Sequence, residues 1–523
     1  MMNKNEHSYR IENTKRNVLY GLIQVIVSRI LPFIVRTILI YRFGAKYLGL
    51  NSLFTSVLSV LSLMELGFGT AIVYSLYKPM GAGDKDQVCA YLSYYRKIYQ
   101  KIGLAILAVG LMIVPFLKYL IRDTSLSGEL DLNICYLIFL SDTVISYLLY
   151  GYLTSIPVAD QRRDLLSKVD TGMSILSCAV RSMLLLFSRN FYFYLFSIPV
   201  ITVIRNIVTA KVIRKQYPEY ICKGDISSAQ KNDLNRRVKG LVIEKVTAVS
   251  RNSIDTLCIS SFIGLTVTGM YNNYFYVMSS IIAFSGIVLN SMMASVGNSI
   301  ATESKEKNYS DMRLFDFIYT AIAGWTVSCM FCLYQPFIKT WLGENMMMGL
   351  PVVIGLCLYF YILKSGDIRW VYHEGAGLWY ESRYIMIGEA AVNVVLNILL
   401  CKVMGVFGII FATIISVFIT NFFFCPRILF NKYFQNGKLK EYLVDHVLYA
   451  LTMLITAGVS WIACESLLPM SMIEGRDVIN CITCLGGRLV LCSTTSVLLF
   501  WIIWNRSGRY DRAKEIIKVL LRK

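Results

Sequence analysis

The sequence predicts an all-α polytopic membrane protein with about fourteen transmembrane helices. They form two six-helix bundles related by an internal repeat, plus two C-terminal helices, with both termini cytoplasmic. Three observations predict this. Apolar runs of roughly 20 residues, the length that crosses a ~30 Å hydrocarbon core, recur from end to end. Hydrophobic residues make up 56% of the 523-residue chain against 16% charged, which excludes a soluble enzyme, a disordered scaffold and a secreted disulfide module. The basic residues behind the net charge of +19 lie in short stretches between apolar runs, not on one face of a folded domain. Nucleic acid is therefore not an expected partner.

The first element follows a segment that is polar up to Asn17. It is too long for the core of a signal peptide and carries no small-residue cleavage motif, so it is read as a span. Spans are expected at 17–41, 48–76, 92–120, 131–155, 169–188 and 191–213, forming an N-terminal lobe over 1–214. A polar cytoplasmic linker, 215–240, precedes spans at 241–263, 270–297, 314–338, 350–373, 384–401 and 404–427, which form a second lobe over 241–441. Helices 13 and 14 (443–465 and 478–504) occupy the segment 442–504. The tail 505–523, with Arg506, Arg509, Arg512 and Lys514 beside Ile516, Ile517, Leu520 and Leu521, reads as a basic amphipathic helix on an anionic inner leaflet.

Orientation follows from the excess of Lys and Arg in cytoplasmic loops. With the N-terminus inside, that face receives Arg10, Lys15 and Arg16, then Arg162, Arg163 and Lys168, the basic run from Lys211 to Lys239, then Lys364, Arg369 and Arg383, and the tail. The outer face keeps Arg42, Lys46, Lys118, Arg122, Arg189, Lys339, Lys402 and Arg476.

The two lobes begin alike. Gly44 and Gly49 bracket a turn after the first span, and Gly264 and Gly269 bracket its counterpart with equal spacing. Asn51-Ser52-Leu53-Phe54 then parallels Asn272-Asn273-Tyr274-Phe275. Paired lobes with the site at their interface are a common transporter plan. Outer loops of about ten residues leave no room for an external catalytic domain, and no phosphate-binding GxxxxGK[ST] loop is present. The pairs Cys329/Cys332 and Cys481/Cys484 lack a βαβ context or a second ligand pair, so they read as small apolar groups on helix faces. Asp84-Lys85-Asp86 resembles a metal–sugar-nucleotide motif but reads as a turn and helix cap after Gly81 and Gly83.

The basic residues left within spans are Arg29, Arg36, Arg181, Arg205, Lys245, Arg251 and Arg488. A cation near mid-bilayer costs roughly 2.5–3.5 kcal/mol even on the lenient insertion scale, so such residues face water or a partner. Arg29 and Arg36 are seven residues apart, on one helical face about 10 Å apart along the axis, with Pro32, expected to kink the helix, between them. Two guanidinium forks on one wall suit a diphosphate. Arg251 stands on the matching helix of the second lobe, four residues before Asp255, which is also close enough to pair with it. Glu65, Asp142, Asp255 and Glu389 are candidates to bind a coupling proton or Na⁺, or to neutralise an arginine. Glu65 lies in Glu65-Leu66-Gly67-Phe68-Gly69, whose glycines permit an irregular helix. His373, beside Glu374, could titrate, though a histidine at a loop edge is more often incidental.

The string YLGLNSLFTSVLSVLSLMELGFGTAIVYSLYKPMGAGDKD at 47–86 resembles the second span and following loop of bacterial polysaccharide-export flippases of the Wzx type. These belong to the multidrug/oligosaccharidyl-lipid/polysaccharide exporter superfamily. The resemblance implies alternating access in a multi-pass protein of the bacterial cytoplasmic membrane. It implies a substrate made of an oligosaccharide on undecaprenyl diphosphate (an O-antigen, capsule or exopolysaccharide repeat unit), moved from the inner to the outer leaflet. It also implies contact with membrane lipids, a polysaccharide polymerase and assembly proteins, no cofactor beyond a coupling ion, and no enzymatic activity. Arg29, Arg36 and Arg251 match by position the basic residues that relatives use for diphosphate, and helices 13 and 14 resemble those holding a lipid-tail groove. The alternative is a drug or metabolite cation antiporter of the same superfamily, for which the cationic spans have the wrong sign.

The orientation is tested by reporter fusion. Alkaline phosphatase joined after Trp504 is expected to be inactive and the same reporter in the 466–477 loop active; the reverse pattern inverts the topology.

Overall fold

The computed structural model describes residues 4–65, 67–122, 128–473 and 478–521, and every regular element among them is helical. Arg476, assigned above to an outer loop, lies outside the described residues. The chain forms two compact units, one up to Gly269 and one from Met270.

In the first unit α1 (Lys4–Phe43) runs unbroken through Pro32 and packs along α6 (Asp164–Phe187). The second expected span is broken. It divides into α2 (Ala45–Leu61) and α3 (Phe68–Gly81), with a 3₁₀ turn at Ser62–Glu65 and Gly67 in the left-handed region at φ +86°. Gly81 and Gly83 then lead into α4 (Lys85–Ile113), where the Asp84 carboxylate accepts from the Gln87 amide at 3.0 Å, the cap expected for that motif. Next, α5 (Leu132–Leu148) bends by 55° into the short helical turns at Gly151–Ala159. Both α4 and α7 (Phe191–Gln216) pack on α5.

The polar segment 217–227 is tied to the first unit. Ile226, Leu234 and Val238 are buried in a core with Ile72, Leu92 and Ile213. Lys231 stands 3.0 Å from Asp225, and that hydrogen bond holds the carboxyl below its usual range. A capping box between Ser227 and Gln230 starts α8 (Ser228–Phe262), which packs on α2 and α3. Its charges explain why it fails a purely hydropathic test.

The repeated glycines meet here. Gly44 and Gly264 adopt positive φ (+97° and +134°) ahead of α2 and α9 (Leu265–Thr302). One turn later the two helices cross backbone to backbone: a methyl on Gly49 would sit 1.9 Å from the Leu265 carbonyl oxygen, and one on Gly269 2.2 Å from that of Ala45.

In the second unit α10 (Lys305–Leu342) is the central helix, contacting α11 (Leu350–Lys364), α12 (Asp367–Gly375), α14 (Leu439–Leu467) and α15 (Val478–Trp504). Two expected spans fall within the continuous apolar stretch Trp379–Phe434, which starts with α13 (Trp379–Phe418) and departs from helical geometry at Gly405, φ +59°. The tail forms α16 (Gly508–Leu521) and docks on α14, with Arg509 2.9 Å from Asp445 and Ala513 buried. Ten helices among the described residues are long and apolar enough to cross a membrane, so the chain is a multi-pass membrane protein. The broken α2–α3 pair, the bent α5, the doubled Trp379–Phe434 stretch and the charged α8 account for the remaining expected spans.

Gly49→Ala and Gly269→Ala are each expected to cost about 1–3 kcal/mol or more by overpacking at the crossing. This reads out as a lowered melting temperature in detergent, while Gly21→Ala, inside α1 in open space, does not lower it.

Candidate functional site

The membrane charges sort by the helices that carry them. Arg29 and Arg36 are half-buried on α1, and Arg251 is half-buried on α8, where Asp255 is only 4% exposed. All three arginines fall within the first unit, with α2 the common neighbour of α1 and α8. The side chain of Lys245 lies outside the described residues. Also in this unit Asp170 accepts from Gln24 at 3.1 Å and pairs with the exposed Arg205 at 2.7 Å. Asp142 is half-buried on α5, within electrostatic reach of Arg181 and Arg205.

Glu65 stands in a different setting. It ends the 3₁₀ turn that interrupts α2–α3, where Tyr99 donates to one carboxylate oxygen at 2.5 Å and Tyr147 to the other at 3.0 Å. The Tyr95 ring packs edge-on against Tyr99 at 4.4 Å. A methyl on Gly69 would lie 3.1 Å from the Tyr95 hydroxyl and 3.4 Å from Glu65, so this glycine leaves room for the cage. A break in helical hydrogen bonding at membrane depth is tolerated where protein groups enclose it.

In the second unit Glu389, 8% exposed, precedes Asn393 and Asn397 at successive four-residue intervals on α13. Asn397 donates to Asn393 at 3.2 Å, and Asn393 donates to Thr413 at 3.0 Å. This buried polar ladder was legible in the spacing, though only its acid was singled out above. Arg488, 1% exposed, donates to the carbonyls of Cys332 and Leu468, each at 3.0 Å, and stands 2.9 Å from Glu465.

Lys364 and Arg369 are not the inner-loop charges that the topology argument assumed. They are 5% and 2% exposed, because the chain breaks at Ser365–Gly366 and turns both inward. Lys364 pairs with Asp367 at 2.7 Å, and Tyr319 donates to the same carboxylate oxygen at 2.7 Å. Arg369 donates to Tyr442 at 2.9 Å and lies over the Phe422 ring. Nearby, His446 Nε2 stands 2.9 Å from Asp316. The signal available in sequence was the Lys364/Asp367 pair at i,i+3 across a Ser-Gly break. His373 is buried, 2.5 Å from the Ser382 hydroxyl and stacked on Trp370, and serves as a packed core residue. An apolar cavity of 440 Å³ lies among α10, α14 and α15, lined in part by Trp325, Met453, Val497 and Phe500.

No protein-family model matches the chain, and no curated protein matches it by sequence. Solved structures do match in fold. A structure of the lipid II flippase MurJ in an inward closed conformation superposes with a TM-score of 0.64 at 14% identity, over 93% of this chain and 99% of that one. An inward-facing MATE multidrug resistance transporter of the MOP superfamily gives 0.59 at 13% identity, over 76% and 94%. The Vibrio cholerae MATE transporter VcmN gives 0.53 at 14% identity, over 79% and 95%. The fold is that of the MOP-superfamily transporters.

Removing one member of a buried pair leaves its partner uncompensated, at about 3–5 kcal/mol. Lys364→Met is expected to lower the melting temperature in detergent sharply, and the double variant K364M/D367N to recover part of that loss. An unchanged melting temperature for K364M removes the pair from the stability account.

Proposed function

We propose that the protein is a flippase that moves an undecaprenyl-diphosphate-linked oligosaccharide from the inner to the outer leaflet of the bacterial cytoplasmic membrane by alternating access. The observation that carries this reading is the pair Arg29 and Arg36, half-buried seven residues apart on the continuous helix α1. With Arg251 they supply cationic forks for the diphosphate, whereas an organic cation would be repelled. Similarity to a lipid II flippase over 93% of this chain supports a lipid-linked substrate. The polyprenyl tail stays in lipid or against α14 and α15, where the apolar cavity lies. Turnover draws on a proton or Na⁺ gradient, for which Glu65, Asp142, Asp255 and Glu389 are the acids to test. A polysaccharide polymerase and assembly proteins are the partners that would consume the product.

The test is translocation by purified protein in liposomes, with a fluorescent undecaprenyl-diphosphate oligosaccharide scored by leaflet accessibility under varied ion gradients. Wild type is expected to move it, Arg29→Ala to lose transport with expression intact, and Arg29→Lys to be partly active because the planar fork is lost. Full transport by R29A removes Arg29 from the site. Crossing of the peptidoglycan precursor alone reassigns the substrate, and transport of an organic cation alone favours the antiporter.

A further inference from the structure

Three cysteines far apart in sequence come together in the second unit. Cys332 on α10, Cys464 on α14 and Cys492 on α15 place their sulfur atoms within 4.8 Å of one another, and all three are at most 1% exposed. The sulfurs of Cys464 and Cys492 are 3.7 Å apart, and in the present arrangement their thiols also face the carbonyls of Arg488 and Ser328 at 3.9 and 3.8 Å. Cys329, the other member of its CxxC pair, packs in the same core cluster but is not one of the three grouped sulfurs; it also lines a neighbouring cavity of 510 Å³ together with Met330 and Leu333. By contrast, Cys481 and Cys484 pack with Leu468 and Ile473 as an apolar helix face.

We infer that Cys332, Cys464 and Cys492 form a three-thiolate site for a soft, low-coordinate cation, with Cu(I) as its physiological form. The donor set argues for this ion. Three sulfur ligands from three rigid helices define a trigonal site, and thiolates select soft metals. A structural zinc ion takes four ligands, and no fourth His, Cys, Asp or Glu atom joins the group among the described residues. Each thiol gives up its proton as it becomes a thiolate ligand, so binding one ion at three cysteines releases the protons of those three thiols. The Arg488 guanidinium, held by the Cys332 and Leu468 carbonyls and paired with Glu465, lies within electrostatic reach of Cys464. Cys329 and Met330 place soft sulfur atoms on the wall of a cavity one helical turn or less along α10 from Cys332. The site pins α14 and α15 to α10 and is independent of the arginines assigned to the diphosphate.

The test uses the full-length protein, purified in detergent under anaerobic reducing conditions, with Cu(I) presented as the complex of a chromophoric chelator. Wild type is expected to withdraw one Cu(I) per chain and to show an all-sulfur first shell by copper X-ray absorption. Outer-sphere partners of metal sites are typically worth roughly 10-fold to 100-fold in affinity, so Cys464→Ser and Cys492→Ser, which remove ligands, are each expected to lose at least that. Cys484→Ser leaves binding unchanged. No withdrawal of copper by the wild type, a nitrogen or oxygen first shell, or full binding by well-folded C464S and C492S overturns the assignment. Should a serine variant fail to fold, Cys464→Ala and Cys492→Ala, which keep the site apolar, carry the same test: full copper binding by either overturns the assignment.

Discussion

A charge or an unsatisfied peptide group at membrane depth must be enclosed by protein, and most of the local architecture described above follows from that constraint. Within the first unit Asp170 is shared by Gln24 and Arg205, and Glu65 is held by two phenols. Within the second unit Lys364 meets Asp367 and Tyr319, and Arg488 is spent on carbonyls and Glu465. Pairs of this kind add little net stability over an apolar equivalent, yet losing one partner is costly. They therefore act to fix the rotation and depth of each helix more than to strengthen the bundle.

The same constraint governs the helix breaks. The interruption between α2 and α3 centres on Gly67 and leads directly to Glu65, so the irregular backbone and the caged carboxylate form one feature. Gly49 and Gly269 admit a crossing at which two backbones touch, a contact no side chain would permit. That the crossing is reciprocal, with each glycine meeting a carbonyl of the other helix, gives the repeated glycine spacing a physical purpose.

Much of this was legible in the sequence. The apolar runs located the helices, including those that pass a hydropathy test only in part, and the Glu65–Gly69 string announced its break. Asp84 was legible as a cap because its partner lies three residues away. The buried role of Lys364 and Arg369 was not, because a short polar stretch between two apolar runs looks the same whether it faces water or folds back into a bundle. The cysteines were read singly as apolar groups, a fair account of Cys481 and Cys484 and an incomplete one of Cys332.

The sequence by itself determined the helical class and the membrane setting, and it flagged the irregular segment at Glu65–Gly69. Hydropathy and glycine placement act over one or two helical turns, and such signals lie within reach of a window along the chain. Only the tertiary structure decided which acid neutralises which base, that a polyphenol cage surrounds Glu65, and that Cys332, Cys464 and Cys492 share one point in space. Those outcomes depend on how each helix is rotated about its axis against neighbours more than a hundred residues away, and that rotation is set by packing of the whole unit.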